Sequence, residues 1–247
     1  MLTHFSAPAP RFGRVNKRLS ISHQQRSPYY WWWAYLRRNE DYLSCCELGG
    51  VGEMAELYRD FGDVREEDFH KWWTADERGA RLFGEKRLEV RLSELGSAAE
   101  WSASWQAAEV LVVAVPLRVS KRSLRAQFNK LLDERHMGKQ GRPALAQQMS
   151  TARYPLTRNY TIANLSTMLA VYDLWLLNGS RSKEEKLTLW QIGCELRINP
   201  KAAKDAVSQF SHDRLVGRNN LGAAVSRYVK QAQGVIAGLG VGIFPAA

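Results

Sequence analysis

The chain has 247 residues, 45% hydrophobic, 24% charged and 11% aromatic, with a net charge of +10. That much apolar and aromatic side chain excludes a chain disordered throughout, and the absence of a sustained heptad or glycine period excludes coiled coil and collagen. The length suits one large domain or two modest ones.

The charge is divided unevenly. Residues 1–38 carry seven basic residues and no acid, 39–115 carry eight basic and seventeen acidic, and 116–247 carry twenty basic and eight acidic. A field acts where its charges cluster, so the two basic blocks point to a polyanion, above all nucleic acid, whose condensed counterions are released as Lys and Arg neutralise phosphates. The acidic block between them is expected to dock against the basic arm when no ligand is bound. Cys45, Cys46 and Cys194 are too few and too unevenly placed for a disulfide framework, which fits a reducing compartment. The N-terminal bases precede no apolar signal core, and the run Val110–Leu117 is far short of the ~20 residues that span a bilayer. These features predict a cytoplasmic protein with no membrane partner.

In chain order, residues 1–28, with Pro8, Pro10 and Gly13, read as a poorly ordered basic arm. A helix is expected from Tyr29 to Leu43, with Ser27 as N-cap and Pro28 in its first turn. Further helices are expected over 53–61 and 68–83. Leu88–Leu92 alternates as a half-buried strand does, and Val110–Val115 is a continuous β-branched run suited to a strand covered on both faces. The two would pair in a small central sheet. Ser120 or Ser123 opens a helix to Arg135. After a basic loop, 137–159, the chain reads as helical over 162–177, 183–197, 200–210 and 221–237, broken at Asn178-Gly179, Asn199-Pro200 and Gly217–Asn220. The fold class expected is a mostly α form of α+β, organised as the arm 1–28, an aromatic and acidic domain 29–136, and a basic helical domain 160–247.

Within the last part, Ile192, Gly193, Leu196 and Ile198 occupy the places of the first helix and turn of a helix-turn-helix. Gly193 would let the next helix approach, with Pro200 in that helix's first turn. That helix would turn Ala203, Ala206, Val207 and Phe210 inward and present Lys201 and Lys204 to base edges or phosphates. Arg227 and Lys230 lie off the apolar stripe Val225, Val229, Ala232 and Ile236. Lys121, Arg122, Arg125 and Lys130 repeat the theme, as do the loop residues Lys139, Arg142, Arg153 and Arg158.

Trp31, Trp32 and Trp33 are consecutive, and successive helix positions differ by about a hundred degrees, so at least one is expected at the surface. With Arg37 and Arg38 they form a candidate interface to a protein partner or a second copy, or a stacking surface for bases. Asp60, Asp63, Glu66, Glu67, Asp68 and His70 are ligand-type residues, but no Cys/His zinc spacing or phosphate loop accompanies them. A solvated acidic turn is the simpler reading, and no metal or cofactor is expected.

Trp33-Ala34-Tyr35-Leu36-Arg37-Arg38-Asn39-Glu40-Asp41-Tyr42 resembles a motif in uncharacterised proteins of phages and integrative elements. A similar Trp-x-x-Leu-Arg-Arg-Asn-x-x-Tyr pattern occurs in small transcriptional-regulator-like domains. The segment Val225–Ala232 with Phe244-Pro245 is similar to the tail of such proteins. The resemblance implies a mobile-DNA context and supplies no catalytic residue. The sequence therefore points first to a non-enzymatic DNA-binding protein, DNA rather than RNA, serving as a regulator on a mobile element. The alternatives are a protein-interaction module in phage–host conflict that works through the tryptophans, and a metal-dependent nuclease using Asp60, Asp63 and Glu67.

Overall fold

The computed structural model describes residues 4–14, 16–66, 68–85, 111–135, 150–157 and 160–245. Internal contacts divide the chain into two units: Met1–Lys86 together with Ala146–Ala247, and Arg87–Leu145 inserted between them. The first unit contains β1 (His4–Phe5), a hairpin of β2 (Gly13–Arg14) and β3 (Lys17–Arg18), and α1 (Ile21–Gln24). Five short helices follow: α2 (Pro28–Leu36), α3 (Glu40–Glu47), α4 (Ala55–Phe61), α5 (Phe69–Thr74) and α6 (Arg78–Phe83). β4 (Gly84–Glu85) precedes the insert, which contributes α7 (Lys121–Arg135). The chain ends in α8 (Ile162–Gly179), α9 (Leu189–Glu195), α10 (Pro200–Ala206) and the 30-residue α11 (Ser211–Gly240). The fold is α+β and mostly helical, as expected.

The described strands lie in other parts of the chain. β1 pairs antiparallel with β4, His4 opposite Glu85, and β2 with β3, Gly13 opposite Arg18. Residues 111–115 carry no strand and are exposed, while 88–92 and Val110 lie outside the described residues. A β-branched run states a preference, and a strand also needs an edge to pair with.

The core is organised around α2. Pro28 opens it at the first position, and all nine of its residues are buried. A helix apolar on every side has to be enclosed on every side. Phe5, Phe83 and Trp73 lie against Tyr29, and Phe69 against Tyr30 and Trp33. Phe61, Phe83, Tyr154 and Phe244 surround Trp32. Leu165, Leu169, Ala232, Val235, Ile236 and Leu239 complete the cluster from α8 and α11. The aromatic segment and the C-terminal helices, read as separate domains, therefore share one core.

The expected arm is folded as well. Pro10 is buried, and Phe5, Ala7 and Phe12 pack on the core. Phe12 meets Phe69 and the edge of His70, and Arg18 reaches Asp68 at 4.0 Å, so the arm docks on the acidic block. The helix expected over 29–43 breaks after Leu36, and Asn39 caps the next helix by accepting from the Tyr42 N–H at 2.9 Å. Ser27 precedes α2 but makes no side-chain cap bond. The break expected at Gly217–Asn220 is instead continuous α11. A Cβ on Gly217 would stand 2.4 Å from the Ala206 nitrogen and 2.7 Å from the Ala202 oxygen, so this glycine serves a close helix crossing.

Glu85 holds the two ends of the first unit together where the insert departs. Its carboxylate accepts from the Ser150 hydroxyl at 2.6 Å, the Thr151 N–H at 2.6 Å and hydroxyl at 3.1 Å, and the Ala152 N–H at 3.1 Å. Burial raises its pKa, but these donors outweigh burial and hold it below the ordinary value of 4.5. A depressed folded pKa gives stability that is fully present above the unfolded value and is lost as pH falls through the folded one. Glu85→Gln should cost about 1–3 kcal/mol at neutral pH, and urea unfolding should show the gap to wild type closing as pH drops below 4.5. Gly217→Ala should destabilise by about 1–3 kcal/mol through overpacking, although alanine is the better helix former. A rise in urea midpoint would contradict the crossing.

Candidate nucleic-acid interface

α9, α10 and the first two-thirds of α11 form the helix group on which the predicted basic residues stand. Thr188 opens α9 with a capping box, its N–H donating to Gln191 Oε1 at 2.7 Å. Ile192 and Gly193 are buried, and a Cβ on Gly193 would lie 3.1–3.3 Å from Leu221 and Val225. The helix this glycine admits is thus α11 and not the following α10. The turn closes with the Ile198 N–H on the Gly193 carbonyl at 3.1 Å, with Arg197 in the left-handed region at φ 50°. Asn199 then caps α10, accepting from the Ala202 N–H at 3.1 Å, and Pro200 takes the first position.

On α10 the inward pair is Ala202 and Ala206, four apart and buried against Leu221. Ala203 is half-buried, while Val207 and Phe210, expected inside, are 68% and 74% exposed. The helix ends at Ala206, so later residues leave the helical face on which the prediction placed them. Lys201 and Lys204 are exposed, three apart on the side away from the alanines. On α11 the stripe Val225, Val229, Ala232 and Ile236 is buried, and Arg227 and Lys230 are exposed, with Arg227 5.7 Å from the Tyr228 ring. Among the described residues none of these four cations makes an ion pair.

Its neighbours Gly217 and Asn219 make Arg218 read as a loop residue, which hides its role. Its guanidinium lies 4.4 Å over the Trp190 ring of α9 and donates to the Ala206 carbonyl at the end of α10 at 3.2 Å. One side chain thereby ties three helices. Seen as part of a continuous helix, Arg218 directly follows Gly217 at the crossing, which is the signal that could have found it.

Lys121, Arg122 and Arg125 belong to the inserted unit. They are exposed on α7 with Lys130, and no residue of that helix is buried. Ser120 caps it, accepting from the Ser123 N–H at 3.3 Å. Of the loop cations, Lys139, Arg142 and Arg158 lie outside the described residues. Arg153 is ion-paired to buried Asp60 at 2.6 Å. Arg11, Arg14 and Lys17 are exposed around the β2–β3 hairpin.

The tryptophan interface is overturned. Trp31, Trp32 and Trp33 are 5%, 0% and 2% exposed, because other elements enclose α2 on the sides where solvent was expected. The motif that follows is scaffolding. Arg37 lies 4.8 Å over Trp33, and Arg38 grips Asp173 with two bonds of 3.1 and 2.8 Å while donating to the Ala34 carbonyl. Asn39 Nδ2 donates to the Ile236 carbonyl at 3.0 Å, and the Tyr42 hydroxyl to the Gly62 carbonyl at 2.7 Å.

The acidic cluster is likewise occupied. Asp60 accepts from the Tyr154 hydroxyl at 2.6 Å, and burial together with this carboxylate pushes Tyr154 up to about 12. Asp63 pairs with Arg65, Glu66 with Lys71, and Asp68 caps α5. Glu67 lies outside the described residues. Among the described residues no three ligand-type side chains come together as a metal site, and no helix is long and apolar enough to cross a membrane.

Compared with known proteins, the chain matches no family model, no curated sequence and no solved structure.

If the motif is structural, Asn39→Ala should cost about 1–3 kcal/mol by leaving the Ile236 carbonyl and Tyr42 N–H without a partner. It should leave nucleic-acid affinity per folded molecule unchanged, as read by thermal unfolding and by anisotropy on the same preparation.

Proposed function

We propose that this chain is a non-enzymatic DNA-binding protein whose α10 and α11 faces hold the phosphate backbone, acting as a regulator carried by a mobile element. The observation that carries the reading is that Lys201, Lys204, Arg227 and Lys230 stand exposed and without ion pairs on one packed helix group. Arg38, Arg65, Lys71 and Arg153 of the same unit are bound to carboxylates, and Lys201, Lys204, Arg227 and Lys230 are not. A cation with no carboxylate partner has no ion pair to break on binding a phosphate. α9, its turn and α10 supply the helix–turn–helix order, with Lys201 and Lys204 on the second helix, where that motif contacts the major groove. The hairpin cations Arg14 and Lys17 and, on the separate inserted unit, Lys121, Arg122 and Arg125 are exposed and are further candidates for phosphate contact. The buried state of the tryptophans removes the support for a partner surface at Trp31–Trp33.

The test is anisotropy with a labelled duplex across a salt series. Wild type should bind with an affinity that falls steeply with salt. Lys201→Ala combined with Lys204→Ala should weaken binding to every sequence and reduce the logarithmic salt slope by about 2. A double variant with unaltered affinity and slope would remove α10 from the interface, and a wild type that does not bind at low salt would end the proposal.

A further inference from the structure

The guanidinium of Arg218 is fixed on two sides. Its central carbon lies 4.4 Å from the centre of the Trp190 ring, and its Nε donates to the Ala206 carbonyl at 3.2 Å. The residue is nonetheless exposed, and among the described residues its two terminal nitrogens have no hydrogen-bond or ion-pair partner. An arginine free in solvent gives up side-chain freedom when it takes a ligand. One already held by a ring and a carbonyl has given up much of that freedom in folding, so its free end is preorganised. Capping the end of α10 needs a single N–H and no charge, which leaves the rest of the guanidinium without a use in the fold.

The surrounding charge names the ligand. Arg214 stands four residues earlier on α11, on the same side of the helix, and it too makes no ion pair among the described residues. Like charges at this spacing repel each other, and neither Asp213, beside Arg214, nor Asp205 on α10 pairs with them. An anion relieves that repulsion. The free end of Arg218 selects its kind, because two N–H donors in one plane match two oxygens of a single oxyanion, and guanidinium is the usual partner of phosphate where that match matters. We propose that Arg218 is a preorganised phosphate contact, holding one phosphodiester of the DNA backbone through Nη1 and Nη2 on a platform made by Trp190. The proposal rests on the nucleic-acid reading and adds to it a contact whose geometry is set before the ligand arrives.

Anisotropy of a labelled duplex over a salt series tests it on the full-length protein, with thermal unfolding read on the same preparations. Arg218→Gln keeps a donor for the Ala206 carbonyl and removes the charge. It should weaken binding at least about tenfold and lower the logarithmic salt slope by about 1. Arg218→Lys keeps the charge and loses the planar fork, so the wild-type slope should remain while affinity falls severalfold. This variant carries the test if the glutamine variant does not fold. Trp190→Leu changes no charge and removes the platform, so it too should bind more weakly with the slope retained. A role confined to joining helices would lower the unfolding midpoint and leave the affinity and slope of the folded molecules as in wild type, and that result would overturn the assignment. So would a lysine variant that binds as tightly as wild type, since a point charge would then suffice. Wild type that binds while Arg218→Gln keeps the full slope would remove Arg218 from the interface and leave the nucleic-acid reading standing. Wild type that does not bind at low salt would end both.

Discussion

Everything in the first unit follows from the need to enclose one helix. α2 presents Tyr29, Tyr30, Trp31, Trp32, Trp33 and Tyr35 in all directions, and each aromatic ring removes on the order of 150–250 Å² from water when covered. No single neighbouring element can cover a helix that has no polar face. The chain responds by bringing cover from both ends, α4 to α6 on one side and α8, α11 and Phe244 on the other. The Tyr35 hydroxyl donates to the Leu165 carbonyl at 2.9 Å, and Arg38 and Asn39 fix the end of α2 to α8 and α11. The indole N–H groups of Trp32 and Trp33 are buried without an acceptor, a polar cost carried by the apolar gain around them.

Local signals were legible where the physics is local. Pro28, Ser120, Asn199 and Pro200 mark helix starts because a missing N–H or a side-chain acceptor acts within a few residues. The stripe Val225, Val229, Ala232 and Ile236 shows its period because one neighbour lies along one face. What failed depended on partners distant in sequence. Gly217 reads as a breaker until α10 is known to cross it, and Asn39 continues a helical run until its amide is seen to reach Ile236, 197 residues away. The arm looked too polar to order, yet Phe5 and Phe12 suffice because aromatic surfaces on Trp73 and Phe69 are waiting for them. The rule that consecutive tryptophans cannot share one core holds for a helix lying on a core and not for a helix that is its centre. For the candidate site, the basic residues themselves were readable. Their freedom from carboxylates was not, since composition does not distinguish Arg38, held by Asp173, from Lys201, held by nothing.

This partition gives the charged residues of the first unit two different uses. Arg38 and Arg153 are paired cations that fix elements to one another, the latter on a carboxylate that is almost wholly buried. Among the described residues the cations Lys201, Lys204, Arg227 and Lys230 of α10 and α11 are unpaired, as Arg14 and Lys17 of the hairpin are, and the packing of α10 and α11 is made by alanine, glycine and aliphatic contacts that need no charge. Arg218 is the exception that joins the two uses, a cation of α11 placed on the Trp190 ring instead of a carboxylate. A helix group built in this way can keep its outer faces positive without weakening its own assembly.

The sheath around α2 also sets an order of events during synthesis. Phe61, Phe69 and Phe83 leave the ribosome soon after residues 28–36 and can cover one side at once. The other side waits for Leu165, Ala232 and Phe244, the last about two hundred residues behind. At roughly 5–20 residues per second this wholly apolar helix remains half-covered for about 10–40 s. A nascent chain in that interval exposes a continuous aromatic surface, the kind of surface that holding chaperones bind, and a chain truncated before Phe244 never closes it.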